Sequence, residues 1–471
     1  MTMLKTTMLR AKPQRANVSH NKPTIRSAVG LYKFSPARVA LPETEAQIVR
    51  AIHQAAKSKQ RIRAIGALHS AVPLPATVGI CLSLERYQKV LQITDNLVTV
   101  QSGIRLKTLN NFLAAHNLAL PTLGTIAQQS ISGAVSTGTH GGSLHQTSLS
   151  GCVHSFRLVL ANGEILELTK GEDLFDAVAI ALGALGILST LTLRCVPAFS
   201  LRARILSLPA PQLIEQFNNI NEQNQFVDIR YSPITDRAHL ALMNPTVSPT
   251  VVTDSKPDSK HSEQPLSPQR NLIPASLTNF THKTAQKLFN THKFNWLQRW
   301  GIERYDKNIY REVTGRSDFV LTHFDTTSTE LLAHEEFTNA DPTADMEVAV
   351  RYALAAEALA TLRHHFQQTQ QFPSMHIHIR TQAGEPFWLS PTQGKAICWF
   401  EFWEYPRTGK FFEKMMNLLA PYEPRAHWGK QLFADPSTQY PRWKDFINLR
   451  AQLDPTGMFL NRYLEQIGFN N

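Results

Sequence analysis

The sequence predicts an α+β protein with more than one domain, and three observations lead to that fold class. At 471 residues the chain exceeds one small module. Hydrophobic residues at 42% and charged ones at 18% suit a chain that buries a core, which excludes wholesale disorder and collagen-like architecture. From Pro42 onward helical and strand-like periods alternate, and strand-like runs recur in the second half.

Thr44 can cap a helix that carries Ile48, Val49, Ile52 and Ala55 on one face, and residues 61–65 then read as a short strand. The loop Gly66-Ala67-Leu68-His69-Ser70 follows at once, where backbone amides commonly meet a ligand. Strands are expected near 80–84 and 97–101, a helix over about 105–117, and a long small-residue segment over 124–143. Residues 156–168 have strand composition on both sides of Asn162-Gly163, a strong hairpin signal. Residues 177–193 are uncharged but just short of a membrane span, and Gly183 and Gly186 split them. They read as a helix end, a glycine turn and a buried strand, with no integral membrane segment. Five prolines between 245 and 270, among few apolar residues, mark a disordered insertion. Beyond it come Phe/Trp-rich helix-like stretches, strand-like runs at 319–324 and 397–403, and a compact C-terminal segment.

The formal charge of +11 invites a nucleic-acid reading until its location is considered. Residues 1–42 hold eight basic side chains and no acidic one, leaving 40 against 37 in the remainder. A phosphate-tracking surface would need a basic stripe across the folded body, so no nucleic-acid partner is expected and a basic binding protein is a remote alternative. The acid-free start reads as a flexible basic arm of a cytoplasmic protein, with import into an organelle such as the mitochondrion as the alternative. Four separated cysteines with no CxxC exclude a disulfide scaffold and a zinc finger, and no metal is expected.

Residues 130–143 combine four glycines with hydroxyls and almost nothing bulky. Such a chain can approach a pyrophosphate closely and offer amide donors, although composition leaves a solvent-filled loop equally open. It is neither GxGxxG nor a P-loop, which disfavours nicotinamide and nucleoside-triphosphate folds.

Here the motifs carry a resemblance. Gly66-x-x-His69-Ser70, Ser130-x-x-Gly133-Ala134-x-x-Thr137-Gly138-Thr139-His140-Gly141 and Leu182-Gly183-Ala184-Leu185-Gly186-Ile187 resemble the FAD-binding domain of vanillyl-alcohol-oxidase-type flavoproteins. Trp388-Leu389-Ser390-Pro391, His427-Trp428-Gly429-Lys430 and Leu453-Asp454-Pro455-x-Gly457-x-Phe459-x-Asn461-x-Tyr463-Leu464 resemble the sugar-lactone oxidase and alditol oxidase branch. The resemblance implies a basic arm over 1–28, an FAD-binding domain over 29–200, and a substrate (cap) domain over 201–420 built on an antiparallel sheet with flanking helices. The proline-rich insertion at 245–270 falls in the cap, and residues 421–471 return to the FAD domain.

The resemblance also assigns residues. The cofactor is FAD, held by Gly66, Ala67, Leu68, Ser70, Gly124, Ser130, Gly133, Ala134, Thr137, Gly138, Thr139, His140, Gly186 and Ile187, and bonded covalently through its 8α-methyl carbon to His69. Neutral imidazole is a nucleophile near physiological pH, and a fixed link raises the flavin potential. Read from composition alone, His69 is a loop histidine. Gly124-Thr125 aligns beside the flavin's reactive edge, where a glycine leaves room for dioxygen. Lys430 would stabilise charge on the reduced ring, and Arg380 would hold substrate oxygens.

One departure stands out. His378-Ile379-Arg380 occupies the place where relatives read Glu-Val-Arg, and Glu401 the place where alditol oxidases carry a histidine. The imidazole and carboxylate are expected to have exchanged places, with His378, or else Glu401, as base; Glu401 could equally be an exposed strand residue. The expected activity is oxidation of a CH–OH group on a sugar lactone or polyol by hydride transfer, with O2 reduced to hydrogen peroxide. The alternative is a dehydrogenase with a quinone or cytochrome acceptor.

Overall fold

Residues 23–246, 318–322, 344–404 and 408–470 are described by a computed structural model. The basic arm up to residue 22, the insertion from 247 to 270 and the aromatic helix-like stretches beyond it lie outside these residues.

The N-terminal part is built on a three-stranded and a five-stranded sheet, beside two short two-stranded pairings. Strands β1 (Arg38–Ala40), β2 (Ile62–Ile65) and β3 (Ile80–Ser83) pair in parallel in the order β1-β3-β2. Helix α1 (Glu45–Lys57) makes the crossover that parallel pairing requires. Thr44 and Gln47 close a capping box at its start, and Ile48, Ile52 and Ala55 are buried against Ile62, Ile80 and Leu82.

The second sheet takes β4 (Val90–Thr94), β5 (Leu97–Gln101), β6 (Val153–Val159), β7 (Ile165–Thr169) and β8 (Ile187–Arg194) in the antiparallel order β7-β6-β8-β5-β4. The hairpin at Asn162-Gly163 brings Ile165 opposite Val159, with Gly163 at φ 85°. Helices α2 (Leu106–Ala115) and α3 (Ile131–Ser136) lie between β5 and β6 in the chain. The uncharged run at 177–193 is the end of helix α4 (Phe175–Val178), a turn with Gly183 at φ 67°, and buried β8. Among the described residues no helix is long and apolar enough to cross a membrane.

From Ser200 one eight-stranded antiparallel sheet dominates. Its strands are β9 (Ser200–Pro209), β10 (Phe226–Ser232), β11 (Arg237–Thr246), β12 (Asp318–Thr322), β13 (Ala344–Arg351), β14 (Ile377–Gln382), β15 (Ile397–Glu404) and β16 (Arg425–Ala426). They run in the order β12-β9-β11-β10-β14-β15-β13-β16. The last strand falls within the segment expected to return to the FAD domain. Period-2 alternation sorts the sheet into two faces. Val227, Ile229, Val348, Ile379, Phe400 and Phe402 point to one side, where helices α5 (Ala210–Gln223), α6 (Ala355–Thr369) and α7 (Lys410–Leu419) cover them. Each fully buried phenylalanine there contributes roughly 2–3 kcal/mol. The other side carries a charged patch around His378, Arg380 and Glu401 beside apolar Leu201, Ala203, Ala241 and Trp399, and meets the glycine-rich segment.

The C-terminal motif is a clamp. The Asp454 carboxylate accepts from the Met458 and Phe459 amides, fixing a turn. The Asn461 amide donates to the carbonyls of Pro73, Leu74 and Ala76, and buried Arg63 donates to those of Leu74, Leu182, Gly183 and Phe459. These bonds tie the chain's end to the loop after β2 and to the turn before β8.

Candidate active site

The face of the eight-stranded sheet turned away from its helices concentrates charge. His378 on β14 and Glu401 on β15 are direct register partners, and Glu347 on β13 is the next partner of Glu401. The His378 ring uses both nitrogens: Nε2 lies 2.6 Å from Asp228 Oδ2 and Nδ1 lies 3.2 Å from Glu401 Oε2. Two carboxylates can only accept, so both ring nitrogens carry hydrogen and the imidazole is a cation. Burial opposes that charge, but Asp228 and Glu401 outweigh it and raise the His378 pKa. Held between two carboxylates, His378 has both ring nitrogens engaged.

Lys430 donates to the other Glu401 oxygen at 2.7 Å and also contacts Asp345. Arg380 donates to Thr125 Oγ1 at 3.2 Å across the domain junction and pairs with Glu347. The expected residues Thr125, Arg380, His378, Glu401 and Lys430 therefore form one continuous polar system, and Glu401, 5% exposed, is a buried member of it. Pairing is what makes so many buried charges tolerable.

Opposite lies the expected cofactor cradle. Gly66 to Ser70 leave the end of β2, with Leu68 in the left-handed region at φ 61°. A Cβ on Gly66 would fall 1.9 Å from Ser130 Oγ, so the two loops touch through the missing side chain. Ser130 caps α3 by accepting from the Gly133 amide at 3.3 Å, Ala134 is buried behind it, and Thr137 bonds back to the Gly133 carbonyl. The small-residue segment thus holds a short helix and is no solvent-filled loop. Gly138 turns at φ 71° before Thr139 and His140, and Val227 of the cap donates to the Gly142 carbonyl at 2.7 Å. Gly186 and Ile187 start β8, packed against β6, with Val159 O 2.9 Å from where a Gly186 Cβ would sit.

The cradle fits FAD by its own chemistry. Residues 121–143 carry no acidic or basic side chain other than His140, and within them Thr122 Oγ1 and Gln129 Oε1 are buried without a hydrogen-bond partner among the described residues. A polar ligand at this segment would satisfy such atoms. His69 is half-buried, and burial, aided by Arg105, lowers its pKa to about 4, keeping the ring neutral. At Gly124 an added Cβ would meet Thr139 Cγ2 at 2.5 Å, so the two segments approach each other closely there.

Between cradle and sheet lies an aromatic layer. His140 stacks on Trp399 at 4.4 Å, and His427 packs against both at 5.6 Å. Burial lowers the His427 pKa to about 3. His140, Glu347 and His427 place donor atoms within 4.8 Å of one another, a set that could hold a metal ion. Arg380 and His140 meet the same Glu347 oxygen, however, so the guanidinium already neutralises that carboxylate.

A small cleft, with a cavity volume of about 40 Å³, opens where the segment 120–142 meets the sheet. Thr125 and Gly142 line it from the small-residue segment, Asp228 and Arg380 from the eight-stranded sheet, and Phe199 and Phe226 add apolar wall. Sequence reasoning missed Asp228, Asp345 and Glu347. A signal existed for the last two, acids at alternate positions of an otherwise apolar strand.

Comparison with known proteins gives a consistent result. The profile described as D-arabinono-1,4-lactone oxidase matches residues 191–467, and an FAD binding domain profile matches 36–169. L-gulono-1,4-lactone dehydrogenase of Mycobacterium tuberculosis is 28% identical over 444 residues, 92% of this chain and 96% of that protein. L-gulonolactone oxidase of Mus musculus is 24% identical over 457 residues, 93% and 96% of the two chains. Cholesterol oxidase of Brevibacterium sterolicum has the same fold, with a TM-score of 0.75 at 16% identity, over 98% of this chain and 100% of that one.

Proposed function

The chain belongs to the D-arabinono-1,4-lactone oxidase family, and on that premise we propose that it oxidises a hydroxyl-bearing carbon of a sugar lactone, with dioxygen as the final electron acceptor. It is an FAD-dependent oxidoreductase acting on CH–OH donors. The observation that carries the reading is the meeting of Thr125 and Arg380 at the cleft, where the glycine-lined cradle and the charged cap face share a wall.

The loop 66–70 and the segment 124–142 would hold FAD, which supplies the acceptor for the substrate's hydride. Arg380 and Thr125 bind the lactone oxygens, and Lys430 and Glu401 fix the electrostatics behind them. The exchanged pair His378 and Glu401 manages the charge that the hydroxyl proton leaves behind. His69 carries the flavin covalently; its neutral, half-buried ring supports that role. After acid precipitation the flavin then stays with the wild-type pellet and leaves a His69→Ala pellet colourless. Colour in the wild-type supernatant would remove the link and leave the fold intact.

A second reading for the acceptor has its own support. The dehydrogenase name of the Mycobacterium tuberculosis relative favours transfer to a quinone or cytochrome. Peroxide released in step with lactone consumption supports the oxidase. Turnover that needs an added quinone, with little peroxide, supports the dehydrogenase.

A further inference from the structure

The hydroxyl proton of the substrate needs a destination, and the structure narrows the choice. His378 has both nitrogens committed. Glu401 has one oxygen on Lys430 and the other on His378, and Glu347 is held by Arg380. Neither glutamate reaches the cleft, and among the described residues that line it Asp228 is the only acid. Its side chain is 6% exposed; Oδ2 accepts from His378, while Oδ1 has only a 3.4 Å contact with Arg230.

We propose that Asp228 is the catalytic base, the group that touches the substrate hydroxyl and takes its proton, while His378 is a positioning residue. This rests on the lactone-oxidising function proposed above. In the step the substrate O–H bond breaks and its proton bonds to Asp228 Oδ1. The carbon's C–H electron pair leaves as hydride to FAD, the two-electron acceptor, and the C–O bond becomes C=O. The imidazolium keeps both its protons throughout. Its bond to Oδ2 leaves Oδ1, with its long contact to Arg230, as the oxygen open to a substrate hydroxyl, and its second bond, to Glu401, fixes the ring. Burial opposes charge on Asp228, but His378, Arg230 and Arg380 outweigh it and lower its pKa, so the proton moves only as hydride loss makes the substrate oxygen strongly acidic.

The test is anaerobic flavin reduction by an aldonolactone, followed in a stopped-flow instrument with flavin-loaded protein. Asp228→Asn should bind FAD like the wild type and slow reduction by about 10²–10⁴-fold, the usual range for a lost general base. Asp228→Ala should be slowed likewise and regain rate when formate is added, a rescue that a merely structural aspartate would not allow. His378→Gln should weaken reduction without responding to formate. Wild-type reduction rates in Asp228→Asn, or slow Asp228→Ala that ignores formate, would overturn the assignment. A wild-type flavin that no aldonolactone reduces would sink the functional reading itself, and this assignment with it.

Discussion

His378 and Glu401 face each other across two adjacent antiparallel strands, with Nδ1 of the one 3.2 Å from Oε2 of the other. Both side chains are buried, so each depends on its partner. Glu401→Gln strips the counter-charge from His378 and Lys430 together and should cost about 3–5 kcal/mol in urea unfolding. The double change with His378→Gln should cost clearly less than the sum of the single changes, because they share one network. Strict additivity would mean that the pair is not coupled.

The same network fixes a pH dependence. Burial opposes charge on Glu401, but Lys430, His378 and Arg380 outweigh it and lower its pKa from 4.5 to about 2. Between those values the unfolded chain binds more protons than the folded one, so this contribution is full above about 4.5 and is lost as pH falls toward 2. His378 has the opposite sign: its raised pKa stabilises below the unfolded value and is lost as pH rises through the folded one. Denaturant midpoints measured from pH 5 to about 3 should fall steeply for the wild type and more gently for Glu401→Gln.

Gly124 and Thr139 predict a compensating pair. An added Cβ would sit 2.5 Å from the Thr139 methyl, so Gly124→Ala should lower stability by about 1–3 kcal/mol and reduce flavin content. Thr139→Ser removes that methyl and should restore most of both. A Gly124→Ala protein with unchanged thermal midpoint and flavin content would show the contact to be slack.

Much of this architecture was legible in the sequence because it rests on local periodicity. The Thr44 cap, the Asn162-Gly163 hairpin and the broken apolar run before β8 all depend on neighbours in the chain. Helix α3 was not separable from the loop around it, since Ser, Gly and Ala suit a phosphate loop and a short capped helix alike. The site was legible only where a motif marked it, as at His378, Arg380 and Lys430. Asp228 has no motif; it matters because β10 pairs with β14, a contact between residues 150 positions apart that local pattern cannot encode.

The C-terminal clamp gives a prediction independent of chemistry. Asn461→Leu would take the donor from the Ala76 carbonyl and one of two donors from Pro73 and Leu74, which keep the Ala76 amide and Arg63, at roughly 1–3 kcal/mol for the group left unsatisfied. The expected result is a marked drop in thermal midpoint, with limited proteolysis opening first near the chain's end. Unchanged stability would mean that the clamp is redundant with Arg63.

The most direct test of the account is to mix the purified yellow protein, without oxygen, with L-gulono-1,4-lactone and D-arabinono-1,4-lactone and to watch the visible flavin absorbance. Bleaching by at least one of them, reversed on admitting air and abolished or greatly slowed in Arg380→Ala, is the predicted result. Flavin that stays oxidised with both lactones, in protein that carries a full complement of FAD, would contradict it.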